Sequence, residues 1–173
     1  MSVPVIIETE RLILRPHQMS DFENLAAMWA NPQVTTFIGG TPSTREESWS
    51  RLMRYFGHWS ALGFGFFSVF EKETMKFLGE VGLADFHRSM EPSLDGTAEA
   101  GWVFMPNAWG KGFASEAVTA VLLWYGNQPF PLPETCIVDA ENVPSIKLAI
   151  KCGFNEAGRT TYKGSAVMMF RRG

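Results

Sequence analysis

The stretch Glu99-Ala100-Gly101-Trp102-Val103-Phe104-Met105-Pro106, continued by Trp109-Gly110-Lys111-Gly112-Phe113-Ala114-Ser115-Glu116-Ala117, decides how the chain is read. The segment Glu99 to Met105 reads as a strand that stops at a proline. After the glycines, Ala114, Ala117, Val118, Val121, Leu122 and Tyr125 fall on one helical face. Where a strand hands over to a helix in this way, the first helical N–H groups lack intrahelical acceptors and carry the positive end of the helix dipole. Such a nest suits a pyrophosphate. Gly110 and Gly112 permit left-handed dihedrals and a close approach of backbone to phosphate, and Lys111 adds a positive charge at the rim. Two glycines one residue apart also fit an ordinary tight turn. The pattern is neither Gly-x-x-x-x-Gly-Lys-Ser/Thr nor Gly-x-Gly-x-x-Gly, so an ATPase phosphate loop and a Rossmann dinucleotide loop both match poorly. Without a Ser or Thr after a Gly-Lys pair, or an evident magnesium-binding carboxylate beside it, ATP is a weak third reading.

On the N-terminal side, Thr9 to Pro16 alternates apolar and charged residues and reads as a first strand. Ser20-Asp21-Phe22-Glu23 has the form of a capping box, with Leu25, Met28 and Trp29 following at helical spacing. Thr44 and Glu47 repeat that signal ahead of a helix whose inner face is expected to hold Trp49, Leu52, Met53 and Phe56 and to stop near Gly63. Gly65 to Phe70 and Phe77 to Leu83 predict an antiparallel hairpin across the charged turn Glu71 to Lys76. Arg88 to Gly96 is a polar loop.

Beyond the helix, Pro129, Pro131 and Pro133 interrupt regular structure before a strand at Thr135 to Asp139. Asn142 to Lys151 then reads as a helix ending at Gly153. Phe154 to Tyr162 and Ala166 to Arg171 predict two strands paired across Lys163-Gly164. The class is α+β (mixed α/β), with helices flanking one central sheet, and residues 1–173 read as a single domain with no repeat, linker or low-complexity tract.

Length and composition agree with one core. The 173 residues are 46% hydrophobic and 19% charged, and the formal net charge of −3 supplies no basic field for nucleic acid. Cys136 and Cys152 are too few for a disulfide framework and lie in no zinc-binding spacing, so no metal is expected. Met1 to Glu10 lacks a basic region followed by an apolar run, and no segment reaches membrane-spanning length. A cytoplasmic protein is the expectation.

The chain resembles the GNAT acetyltransferase superfamily, and within it the branch of ribosomal-protein alanine N-acetyltransferases. The resemblance spans nearly the whole chain. Thr9 to Arg15 is similar to that branch's opening strand, Gly79-Glu80-Val81-Gly82-Leu83 to its third strand, Trp109 to Ala117 to its cofactor loop, and Asn142, Ser145 and Cys152-Gly153-Phe154 to its last helix. The resemblance implies a mostly antiparallel, splayed sheet. It implies acetyl-CoA as co-substrate, its pantetheine arm on the backbone of Trp102, Val103, Phe104 and Met105. Its pyrophosphate would lie on Trp109, Gly110, Lys111, Gly112, Phe113, Ala114 and Ser115, with Asn142 contacting its amides. Two positions depart from the broad pattern. Trp109 stands where many members carry Gln or Arg, and Ala149 where many carry a tyrosine that protonates the departing thiolate.

Acetyl transfer to an amine needs a proton acceptor and a donor to the developing oxyanion, which a splayed strand's N–H group can supply. Glu99 resembles the glutamate base of some family members and is the leading candidate, acting directly or through water; a solvated residue at a strand start is the alternative. Glu80, Asp85 and His87 are reserves, Glu80 with a structural role as its alternative, His87 with the intrinsic pKa for proton transfer. Ser145 is a candidate for the sulfur or the pantetheine arm and Asn142 for the cofactor, although both residue types also cap helices. Tyr162 is a further acid candidate. The aromatic residues Tyr55, Phe56, Trp59, Phe64, Phe66 and Phe67, with Trp29 and Phe37, read mainly as core and partly as lining for an acceptor pocket. The expectation is an N-acetyltransferase acting on a protein N-terminus or small-molecule amine, as monomer or homodimer. A non-catalytic acyl-CoA sensor or interaction module is the alternative.

Overall fold

A computed structural model describes residues 4–173; of the N-terminal stretch considered above, residues 1–3 lie outside the described residues. One eight-stranded sheet organises the fold. Its strands are β1 (Ile7–Glu8), β2 (Leu12–Pro16), β3 (Phe66–Glu71), β4 (Phe77–Ala84), β5 (Ala98–Phe104), β6 (Glu134–Asp139), β7 (Asn155–Tyr162) and β8 (Ser165–Arg172), in spatial order β1-β2-β3-β4-β5-β6-β8-β7. All neighbours are antiparallel except β5 and β6, which run parallel. The helices are α1 (Phe22–Trp29), α2 (Pro32–Thr35), α3 (Arg45–Leu62), α4 (Phe113–Gly126) and α5 (Val143–Lys151).

Both faces of the sheet centre are covered. Leu12, Leu14, Phe67, Val69, Val81 and Leu83 pack with α4 and the end of α5. Phe66, Ala84 and Val103 pack on the other face against Leu25 and Trp29 of α1 and Leu52 and Tyr55 of α3. Two-sided burial explains why β3 and β4 read as nearly continuous apolar runs rather than as alternating ones. β4 also carries close-approach glycines: a Cβ on Gly79 would run into the Val103 carbonyl oxygen and Phe104 of β5.

The predicted hairpins, the Thr44/Glu47 capping box and the left-handed stop at Gly63 all form. Three local expectations are corrected. The chain enters its first long strand at Leu12, because Thr9 to Arg11 make a turn after the short β1. Ser20 caps nothing; the Asp21 carboxylate accepts from the Gln18 N–H (2.7 Å) and from Arg15, while Glu23 pairs with Arg45. The inner face of α3 is Ser48, Leu52 and Tyr55, with Trp49 41% exposed. Trp49 instead meets Phe22 edge to face, a contact that helical periodicity alone does not distinguish from burial.

Glu80 of β4 is fully buried in this second core. Its carboxylate takes the Trp29 indole N–H at 3.0 Å and the Tyr55 hydroxyl at 2.6 Å on Oε1, and His17 Nε2 lies 3.1 Å from Oε2. Burial, together with the Glu80 charge, pushes the Tyr55 hydroxyl well above its ordinary pKa, so it donates as a neutral phenol. Glu80 is therefore a structural centre that fastens α1 and α3 to the sheet. Trp29, a candidate lining residue, is spent on it.

Candidate active site

The parallel pair β5–β6 opens almost at once. Its register pairs are Ala98 with Glu134 and Glu99 with Thr135, and beyond Glu99 the strands diverge. Ala98 donates its N–H toward β6, to the Pro133 carbonyl, and Met105 donates to Leu78 of β4. Strand alternation then turns the backbone groups of Ala100, Trp102 and Phe104 toward the opening and those of Gly101, Val103 and Met105 toward β4. Of the four residues expected to hold a pantetheine arm, Trp102 and Phe104 face the gap with their main chain. The Phe104 carbonyl already accepts the Trp109 indole N–H at 2.9 Å, which folds the loop back on the strand end.

That loop carries Gly110 at φ +72° and Gly112 at φ +80°. Gly112 is the N-cap of α4, with no side chain capping the helix, and the first intrahelical bond runs from Glu116 N–H to the Gly112 carbonyl at 3.1 Å. The N–H groups of Phe113, Ala114 and Ser115 thus lack intrahelical acceptors, at the positive end of the helix. Lys111 is exposed beside them, and the Phe113 side chain is buried below.

Composition gave no sign of what holds this loop in place. Arg11, at the turn before β2, donates from NH1 to the Lys111 carbonyl at 2.9 Å and from Nε to Glu116 at 2.7 Å, and lies 4.4 Å from the centre of the Phe113 ring. Glu116 also accepts from Thr9 and from the Arg11 N–H. Burial acts to raise the Glu116 carboxyl, but these hydrogen bonds and the Arg11 charge outweigh it and hold the group below its ordinary value. The signal was the basic residue inside the opening motif, which one-dimensional pattern does not connect to a loop 100 residues away.

Across the opening, Asn142 caps α5, its side chain accepting the Ser145 N–H at 3.3 Å. Ser145 is thereby not the cap; its Oγ accepts the Trp102 indole N–H at 3.2 Å and so lies beside β5. Ala149 is fully buried in the core cluster that also holds the inner face of α4.

Glu99 stands at the vertex of the opening and is buried. Arg88, from the polar loop, donates from Nε to both carboxylate oxygens at 2.9 Å and from NH1 to the Tyr162 hydroxyl at 3.2 Å. Burial works against the Arg88 charge, yet Glu99 and Tyr162 together raise its pKa; in return Arg88 and Lys163 outweigh burial and lower that of Tyr162. Asp85 and His87 lie on the adjoining loop. His87 is at φ +45°, its ring nitrogens 3.1 Å from Asp85 and 3.4 Å from Asp95. One side-chain nitrogen or oxygen from each of these three residues lies within 4.8 Å of the others, with the imidazole between the two carboxylates. Phe37 sits apart, 38% exposed after α2, while Tyr55, Phe66 and Phe67 are core.

A strand edge left open by splay runs into an uncapped helix start held by left-handed glycines, so unpaired N–H groups stand ready for an anion such as a phosphate. Comparison with known proteins gives the family. Residues 11–155 match the family model described as an acetyltransferase (GNAT) domain. An uncharacterized N-acetyltransferase p20 of Bacillus licheniformis is 36% identical over 152 residues, covering 87% of this chain and 82% of its own. A GnaT-family acetyltransferase structure from Bordetella pertussis superimposes with a TM-score of 0.87 at 27% identity, over 98% of this chain and 99% of its own. The fold is shared also by a ribosomal L7/L12 α-N-protein acetyltransferase in complex with coenzyme A, at 17% identity, TM-score 0.78 and 97% coverage of both chains. The chain belongs to the GNAT acetyltransferase family and is an acetyl-CoA-dependent acyltransferase. No helix among the described residues is long and apolar enough to cross a membrane.

Proposed function

We propose that this protein transfers the acetyl group of acetyl-CoA to a primary amine, a protein N-terminus or a small molecule, by direct attack on the thioester. The observation that carries this reading is the unpaired edge of β5 beyond Glu99, ending at the uncapped first turn of α4. The pyrophosphate lies on the N–H groups of Phe113 to Ser115, and the pantetheine arm runs along the Trp102 backbone, beside Ser145 and the capping Asn142. The amine nitrogen attacks the carbonyl carbon, and the oxyanion is met by a backbone N–H of β5 that has no strand partner. Collapse breaks the C–S bond, leaving amide and thiolate. One amine proton passes through a bridging water to Glu99, whose oxygens are partly committed to Arg88, and the thiolate takes a proton from Tyr162 or solvent. Both cysteines are free thiols, in keeping with a cytoplasmic setting.

Loss of the general base removes a contribution of about 10²-fold or more. Glu99→Gln is therefore expected to lower kcat by roughly that factor while acetyl-CoA affinity, measured by calorimetry, stays within about twofold. An unchanged rate and pH profile would place the base elsewhere. An alanine at position 149, where the resemblance leads one to expect a tyrosine acid, leaves a second reading, a non-catalytic acyl-CoA sensor. Acetyl-CoA binding with no thiol release across a broad amine panel would favour it.

A further inference from the structure

The face of the sheet that carries Glu99 collects three arginines whose partners differ. Arg88 is neutralised by Glu99. Arg51 lies 3.6 Å from the centre of the Trp29 ring and reaches the Ser43 hydroxyl at 3.4 Å. Arg54, one helical turn further along α3, packs 5.0 Å from the centre of the Phe86 ring, against which Arg88 also stacks at 4.7 Å. Among the described residues no carboxylate lies within ion-pair distance of Arg54, and its guanidinium makes no hydrogen bond.

Arg54 is exposed, and an aromatic ring rather than an acid holds its guanidinium. Solvent reaches it, yet burial by its surroundings is the main influence depressing its pKa, reinforced by the like charges of Arg51 and Arg88 and opposed by Tyr55 and Glu80. Two of the nearby acids are engaged elsewhere, Glu80 by Tyr55 and Trp29 and Glu99 by Arg88, while Asp85 and Asp95 flank His87. The geometry supplies one fork-shaped donor on the Phe86 ring with no carboxylate of its own, suited to a carboxylate brought by a ligand.

We infer that the acceptor carries an acidic side chain near its reacting amine, and that Arg54, held against Phe86, binds that side-chain carboxylate while Arg88 and Glu99 mark where the amine reacts. This rests on the acetyltransferase reading above and narrows it. The same chemistry comes from two sources, a free acidic amino acid or a peptide with an acidic residue near its N-terminus. It disfavours polyamines, which bring no carboxylate to Arg54 and would set an ammonium against it.

The test measures thiol release from acetyl-CoA by the full chain with aspartate, glutamate, their side-chain amides, peptides that begin Ser-Asp or Ser-Asn, and spermidine. The expected result is a kcat/KM at least about tenfold higher for the acids than for the matched amides, with spermidine poorest. Which of the two acidic sets leads identifies the source. Arg54→Gln is expected to abolish the acid-over-amide discrimination chiefly through KM, and Arg54→Glu to reverse it, with acetyl-CoA affinity by calorimetry as in the wild type. Equal rates for acids and amides, a preference for spermidine, or an Arg54→Gln variant that discriminates as before would overturn the inference. If no amine turns over, calorimetry of the same panel with coenzyme A-saturated protein decides, and equal binding of acid and amide overturns it. Absence of acetyl-CoA binding altogether is a separate outcome that removes the acetyltransferase reading with it.

Discussion

Replacing Gly112 with valine is expected to weaken acetyl-CoA binding by at least about tenfold, a loss of about 1.4 kcal/mol or more. Gly112 sits at φ +80°, which costs an ordinary L-residue about 1–2 kcal/mol and a β-branched one more. A Cβ there would also stand 3.3 Å from Arg11 NH2, pressing on the guanidinium that braces the loop. The chain can relieve both only by moving Gly112 out of its cap position, which re-aims the N–H groups of Phe113 to Ser115. Calorimetric titration of the variant, beside a thermal melt that reports its folded state, checks this. Wild-type affinity in a folded Gly112→Val protein would mean that the loop does not hold the cofactor.

A different kind of loss is expected at Glu80. Glu80→Ala removes the shared acceptor of Trp29 and Tyr55 and the partner of His17 in a fully buried setting. Truncating one side of such a buried network costs about 3–5 kcal/mol, because the remaining polar groups lose their partners without regaining water. Since domains of this kind are stable by only about 5–15 kcal/mol, this is a large share of the total. Urea denaturation should show a lowered midpoint at nearly unchanged slope. Glu80→Gln, which keeps an acceptor oxygen and the side-chain volume, should lose distinctly less. If Glu80→Ala costs under about 1 kcal/mol, the network is not what fastens α1 and α3 to the sheet.

Much of this organisation was legible in the sequence because it is written in local chemistry. Gly63, the Thr44/Glu47 pair and Lys163-Gly164 each impose a backbone conformation on their own neighbours, and the structure realises all three. The strand, glycine loop and helix from Glu99 to Tyr125 were readable for the same reason. What was not legible depends on long-range partners. That Arg11 braces the loop, that Arg88 holds Glu99, and that Asn142 rather than Ser145 caps α5 follow from which side chains the fold brings together. Trp49 and Met53 fit helical spacing as well as Tyr55 does, and only the direction from which the sheet approaches α3 decides between them.

The same division runs through the site. The side proposed for the cofactor is largely backbone, and its glycines and helix start announce it. The proposed acceptor side draws on Arg54, Phe86, Arg88, Glu99 and Tyr162, from α3, a loop and two strands. No spacing links them in one dimension.

On the proposed reading, the opening between β5 and β6 and the uncapped start of α4 bind acetyl-CoA. It is tested most directly by isothermal titration of the purified, coenzyme-free protein with acetyl-CoA, with ATP as the control ligand. Saturable one-to-one binding of acetyl-CoA and none of ATP is the predicted result. A folded sample that binds neither, or that binds ATP equally well, would contradict it and reduce the glycine loop to a turn.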